Sequence, residues 1–151
     1  MLLFQSGPWL TVTVPGSDPS GTGFATNVGA GRADIVSGQP LYPAHQTLSN
    51  WLNPAAFTIP PNNIGRWGNA PVGNIQGPGT QAVALSLMKS VHFTENARLQ
   101  LGAQAANLFN HPNYAPPNTV FNTAPFGTIS ALQSAEGAGP RVIQITGRFM
   151  F

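Results

Sequence analysis

The chain has 151 residues, only 7% of them charged, and six Lys and Arg against four Asp and Glu leave a formal net charge of +2. Soluble domains carry about a quarter charged residues, so this composition does not build an ordinary solvated surface, and so few cations exclude nucleic acid as a partner. The absence of cysteine removes disulfides, thiolate metal sites and thiol catalysis, while 17 Gly and 15 Pro oppose a helical bundle.

The predicted elements run as follows. Met1-Leu2-Leu3-Phe4 lacks the length and basic flank of a signal peptide, and no run approaches the ~18 apolar residues of a membrane helix. A protein that works beyond the cytoplasm is therefore expected to be represented here by a fragment, or by a sequence with a misplaced start. Residues 2–14 read as a first strand, with Trp9, Thr11 and Thr13 alternating with Leu10, Val12 and Val14 up to Pro15. From 15 to 79 there is no sustained period, only turn dipeptides such as Asp18-Pro19, Asn53-Pro54 and Gly77-Pro78, and the segment reads as a long loop. A second strand over 81–93 places Val83, Leu85, Leu87, Lys89, Val91 and Phe93 on one face and Ser86, Met88, Ser90 and His92 on the other.

Thr94-Glu95-Asn96 makes a short turn into a third strand, 97–109, with Leu99, Leu101, Ala103 and Ala105 opposite Arg98, Gln100, Gly102 and Gln104. A helix competes here, because Leu, Ala, Gln and Arg favour it; the hairpin partner decides for the strand. A second long loop covers 110–139. The last strand, 140–151, puts Ile143, Ile145, Gly147, Phe149 and Phe151 on one face and Gln144, Thr146, Arg148 and Met150 on the other. The resulting class is all-β and antiparallel. Alternating short and long connections gather the short turns at one end of the strands and the long loops at the other, as in transmembrane barrels. A soluble β-sandwich with the same alternation, its apolar faces buried between two sheets, is the competing architecture and would be a secreted binding module.

Catalytic and metal chemistry have no foothold. His45, His92 and His111 lack ligand spacing, and Asp18, Asp34, Glu95 and Glu136 are dispersed. Gly21-Thr22-Gly23 and Gly29-Ala30-Gly31 do not lead from a strand into a helix, so a phosphate loop is not expected. No cofactor is implied. Tyr42, Trp51, Trp67 and Tyr114 fall in the long loops, where they could face a ligand or pack the loops against one another.

Five segments, in order along the chain, carry a resemblance: Trp51-Leu52-Asn53-Pro54-Ala55-Ala56-Phe57, Gly65-Arg66-Trp67-Gly68-Asn69-Ala70, Gly77-Pro78-Gly79, Leu85-Ser86-Leu87-Met88-Lys89 and Asn107-Leu108-Phe109-Asn110-His111-Pro112-Asn113. Together they resemble the C-terminal barrel region of TonB-dependent outer-membrane receptors, in particular the Oar-like group with an N-terminal carboxypeptidase-regulatory-like domain. The resemblance covers nearly the whole chain. It implies the C-terminal part of a large barrel of about 22 strands, two long extracellular loops, and location in the outer membrane. It further implies transport rather than catalysis: energised uptake of a scarce nutrient such as a siderophore or oligosaccharide. The partners implied are outer-membrane lipid, the rest of the barrel and its plug, TonB acting through a missing N-terminal region, and the barrel-insertion machinery, which would read Phe151 as an assembly signal. On this reading Arg98, Gln100, Gln104, Gln144 and Arg148 face the lumen, and Phe93, Phe149 and Phe151 form an aromatic girdle at the membrane interface. In a sandwich the same residues would be a solvated polar face and a core.

Overall fold

Segments with an apolar residue at every second position can satisfy both faces only as strands, and the three that alternate most regularly form the longest ladders of the molecule. The computed structural model describes residues 1–23, 31–95, 97–134 and 137–151. In chain order the strands are β1 (Leu2–Gln5), β2 (Trp9–Leu10), β3 (Thr13–Val14), β4 (Gly31–Arg32), β5 (Asp34–Ile35), β6 (Phe57–Thr58), β7 (Ile75–Gln76), β8 (Thr80–Val83), β9 (Leu85–His92), β10 (Arg98–Ala106) and β11 (Val142–Met150). A 3-10 turn at Pro54–Ala56 precedes β6, and the described residues contain no α-helix. Asn96 of the expected turn, Glu136, and Gly29 and Ala30 of the second glycine motif lie outside the described residues.

The residues divide into two units: Met1–Ser6 with Gly79–Tyr114 and Leu132–Phe151, and Gly7–Pro78 with Ala115–Ala131. The first is the sheet unit. In it β9, β10 and β11 form an antiparallel meander, with Leu99 opposite both Val91 and Phe149, and Ala103 opposite both Leu87 and Ile145. The all-β, antiparallel expectation therefore holds, and the helical alternative for 97–109 fails because β10 is laddered on both sides. β1 pairs with β8 from Leu2 opposite Val83 to Gln5 opposite Thr80. Met1 prolongs that ladder: its ammonium donates to the Ala84 carbonyl at 2.7 Å, and the Ala84 N–H donates to Met1 O at 2.9 Å. Only Ala84 separates β8 from β9, so together they trace the expected second strand. The sheets are open: among the described residues β11 has no neighbour beyond β10, and β1 none beyond β8.

β10 ends earlier than expected, at Ala106 rather than 109, because Asn107 takes a left-handed φ of 46°. Its buried amide group then clasps the connection to β11. Asn107 Nδ2 donates to the carbonyls of His111 (2.9 Å) and Gly139 (2.7 Å), and Oδ1 accepts from the His111 N–H (3.0 Å). Asn113, also buried, accepts from the Gln81 N–H at 2.7 Å and donates to Ala138 O at 2.9 Å. Two asparagines thus satisfy backbone groups that a non-repetitive connection leaves without ladder partners.

The second unit corrects two expectations. The strand expected over 2–14 is broken after Gln5, and residues 9–14 belong to the second unit as β2 and β3. The cause is Gly7-Pro8: proline has no N–H for a ladder, and a Cβ on Gly7 would lie 1.8 Å from Gly77 O. Gly77 N–H donates to Pro8 O across this approach at 2.9 Å. The segment 15–79, expected as a structureless loop, instead supplies β4, β5, β6 and β7 to two-residue ladders: β3 with β4, β5 with β6, and β7 with β2. They surround a core of Val12, Val14, Ala33, Leu52, Ala56, Phe57 and Ile75. Part of the second long loop completes it, since Thr13 exchanges backbone hydrogen bonds with Thr119 and Phe121. Phe57, Phe121 and Phe126 meet as an aromatic triad with centroids 5.1 to 6.1 Å apart.

Candidate functional site

Among the described residues the three long strands carry an extended surface whose chemistry is sorted by face. In register, the rows Val91–Leu99–Phe149, Lys89–Leu101–Gly147, Leu87–Ala103–Ile145 and Leu85–Ala105–Ile143 lie on one side. The rows His92–Arg98–Met150, Ser90–Gln100–Arg148, Met88–Gly102–Thr146 and Ser86–Gln104–Gln144 lie on the other. Of the twelve positions on the first face, Lys89 alone is polar. That face is bare: Ile145 is 81% exposed, Ile143 62% and Leu87 61%. A β-sandwich would have buried these residues against a second sheet, and among the described residues they are exposed instead. Leu2 and Phe4, opposite Val83 and Gln81, add further exposed apolar groups on the β1–β8 ladder.

The expected polar residues share the second face. Gln100 stands directly opposite Arg148, and Gln104 opposite Gln144, with Arg98 in the row nearest the β9–β10 turn. No Asp or Glu occurs in β9, β10 or β11, so the cations Arg98 and Arg148 have no acid within their own sheet. The aromatic residues gather at the same end as that turn. Phe149 lies across Leu99 from Val91, Phe93 directly follows β9, Phe151 directly follows β11, and the rings of Phe149 and Phe151 are 6.1 Å apart. The turn itself is closed by the Phe93 and Thr94 N–H groups donating to Ala97 O, at 2.9 and 3.2 Å.

The loop aromatics divide. Tyr42 and Trp51 pack against the core of the second unit; Tyr42 Oη accepts from the Gln76 N–H at 2.7 Å, and the Trp51 indole donates to Gln76 O at 3.4 Å. Their polar ends are spent on the backbone. Trp67 is 45% exposed and open to a ligand. Tyr114 is partly buried and bridges Leu132 through its backbone.

The acids have structural partners. Asp34, buried at 8% exposure, makes a two-pronged ion pair with Arg66, both bonds 2.8 Å, and accepts from the Asn69 N–H at 2.8 Å. The Arg66 hydrogen bonds, helped by that of Asn69 and opposed by burial, hold its carboxyl below the usual range. Asn69 Oδ1 in turn accepts from the Ile35 N–H at 2.7 Å, and Arg32 donates to Ala70 O at 3.0 Å. Gly68 passes so close that a Cβ would stand 1.9 Å from Arg32 O. The segment from Arg66 to Ala70 is therefore a clamp on β4 and β5, a role for Arg66 and Asp34 that sequence reasoning missed. Asp18 receives the N–H groups of Gly23 (2.7 Å), Gly21 (3.0 Å) and Thr22 (3.3 Å), and its carboxyl is lowered chiefly by the Gly23 bond. The donors of this glycine-rich turn are thus occupied by the chain's own carboxylate. His45, His92 and His111 are exposed, and among the described residues no three His, Asp or Glu gather as metal ligands.

Among the described residues the arrangement offers one wall of exposed apolar side chains and one wall that carries amides and guanidinium groups. A family model described as an outer membrane beta barrel domain matches residues 1–144. No curated protein and no solved structure matches the chain.

Proposed function

The chain belongs to the outer membrane beta barrel domain family and is an outer-membrane protein, and from that premise we propose that it is the C-terminal barrel segment of a TonB-dependent receptor that takes up a scarce nutrient. The observation that carries the reading is the register of β9, β10 and β11, which collects eleven apolar or small residues and one lysine on an uncovered face. Lipid would cover that face in the complete barrel, and the lumen, with its plug, would satisfy Arg98, Gln100, Gln104, Gln144 and Arg148. Open sheet edges suit a piece of a larger closed structure, since an unpaired edge within hydrocarbon leaves backbone groups without partners.

The TonB-dependent character rests on the five motifs and their order, and the fold gives them distinct work. Trp51 to Phe57 supplies core residues Leu52, Ala56 and Phe57, Arg66 to Ala70 forms the clamp, and Asn107 to Asn113 forms the clasp. On this reading the two long connections, 15–79 and 110–139, are extracellular, and selection of a siderophore, oligosaccharide or similar nutrient belongs to them together with the plug. The reading assigns the protein no catalysis. Its test is uptake by cells carrying the complete reading frame. Growth on the limiting nutrient, screened over siderophores and oligosaccharides, should require both the receptor gene and TonB. Uptake that persists at full rate without TonB would refute energised transport while leaving the outer-membrane barrel in place.

A further inference from the structure

Lys89 interrupts the bare face. It is the only lysine of the chain, its row-mates are Leu101 and Gly147, and its same-face neighbours along β9 are Leu87 and Val91. Among the described residues the one ion pair is that of Arg66 with Asp34, and no described carboxylate partners the Lys89 ammonium. Immediately beyond it, at the small residue Ala103, the face opens into a shallow, open apolar cleft of about 330 Å3, whose lining includes Leu87, Lys89, Leu101, Ala103 and Ile145 of this face together with Met88 and Gly102. On the lipid-facing reading proposed above, a cation in this wall is costly unless it reaches the interface or an anion reaches it. Phe93 ends the strand four residues on, which is ~13 Å along it and, at a tilt of ~40°, ~10 Å along the membrane normal. The lysine stem covers only part of that distance, so water alone does not answer the charge.

The order of features supplies an answer. From the turn end inward come the aromatic residues, then one cation, then an apolar cleft. A phospholipid presents the same sequence, a headgroup, a phosphate and an acyl chain. The geometry points to a bound anionic phospholipid, its phosphate on Lys89 Nζ and one acyl chain in the cleft over Ala103. Charge complementarity selects this occupant: a neutral hydrocarbon chain would fill the cleft but leave the ammonium unpaired, and a free phosphate would pair with the ammonium but leave the cleft open to other chains.

The test uses the complete receptor in nanodiscs of phosphatidylethanolamine containing phosphatidylglycerol, with retained lipid read by native mass spectrometry after transfer to detergent. Wild type should retain phosphatidylglycerol. Retention should fall roughly fivefold in Lys89→Gln, persist in Lys89→Arg, and fall in Ala103→Leu, which fills the cleft without touching charge. Equal retention by wild type and Lys89→Gln would overturn the site. So would displacement of the lipid by inorganic phosphate with Ala103→Leu unaffected, since that describes a free-anion site. A nitroxide on Ile145→Cys separates this failure from failure of the underlying reading. Strong relaxation by oxygen and weak relaxation by a water-soluble nickel chelate, with no selective retention, would remove the lipid site alone. Strong relaxation by the nickel chelate would remove both.

Discussion

A charge placed on Ile145 should be far more damaging than the same charge placed on its neighbour Gln144, although the two are adjacent in sequence and both exposed. Ile145 shares its row with Ala103 and Leu87. Leu87 lies six residues from Phe93, so the row sits ~20 Å along the strand and ~15 Å along the normal from the aromatic end, close to the middle of an apolar band ~25 Å tall. Arginine at the midplane of a barrel's lipid face costs about 2 to 4 kcal/mol, a factor of about 30 to 1,000 in the folding equilibrium at 1.4 kcal/mol per decade. Gln144 stands opposite Gln104 on the other face, where arginine meets water or polar groups and should change stability by no more than about 0.5 kcal/mol. Leu101, one row nearer the aromatic end, lies ~10 Å along the normal from it, as close to the midplane as Ile145, and should give a similar cost. Its control is Gln100→Glu, because Gln100 faces Arg148 and an added cation there would introduce repulsion of its own. The assay is urea titration of the barrel protein in lipid vesicles, following the gel mobility of the folded barrel. Equal losses for Ile145→Arg and Gln144→Arg would refute the face assignment, and with it the argument that lipid covers the apolar rows.

Four further outcomes are expected. Asn107→Ala should cost about 1 to 3 kcal/mol by the same titration, because the carbonyls of His111 and Gly139 lose their donor; Asn107→Gly should cost less, since it keeps the left-handed φ. Gly68→Ala should destabilise the second unit by about 1 to 3 kcal/mol through the collision with Arg32 O, seen as faster limited proteolysis of the purified protein within residues 7–78. Because the folded Asp34 carboxyl is held below its ordinary value, its ion pair contributes stability that is fully present above about pH 4 and is lost as pH falls through the depressed value. Protection against hydrogen exchange at Asn69 and Ile35, taken relative to the intrinsic rate at each pH, should therefore be constant from pH 8 to 5 and fall below pH 4, an acid response that Asp34→Asn abolishes. Deleting Phe151, which is 98% exposed, removes one apolar side chain worth roughly 1.5 to 3 kcal/mol of burial, which a large barrel survives; pulse-chase fractionation should show slower insertion and more periplasmic degradation, with near-normal stability for inserted molecules. Unchanged insertion would refute the role of Phe151 as an assembly signal.

Local pattern decided the sheet. In an extended chain the side-chain period is two, so Leu99, Leu101, Ala103 and Ala105 share a face whatever their neighbours do, and the short β9–β10 turn brings the matching face of β9 into line. The same rule separated Arg98, Gln100 and Gln104 from them before any partner was known. The preference of 97–109 for strand over helix was weaker, because leucine, alanine and glutamine are content in either; the ladders to β9 and β11 settled it. The second unit was out of reach for the opposite reason. Its strands are two residues long, too short to show a period, and each pairs at a distance: Trp9 with Gln76, Val14 with Gly31, Ile35 with Phe57. Its core residues carry no mark distinguishing them from loop leucines and alanines until those pairings close. Asp34 and Arg66 are likewise 32 residues apart and announce nothing to each other in sequence. Asn107 fell inside the expected third strand and Asn113 in the expected second loop, since which carbonyls an amide will reach depends on where Ala138 and Gly139 return. Residue pattern alone therefore determined the two faces of the membrane sheet, because strand geometry is a property of consecutive residues. Which loop residues pack, pair or remain exposed was decided by tertiary structure, because it depends on contacts between segments that have no local signal of one another.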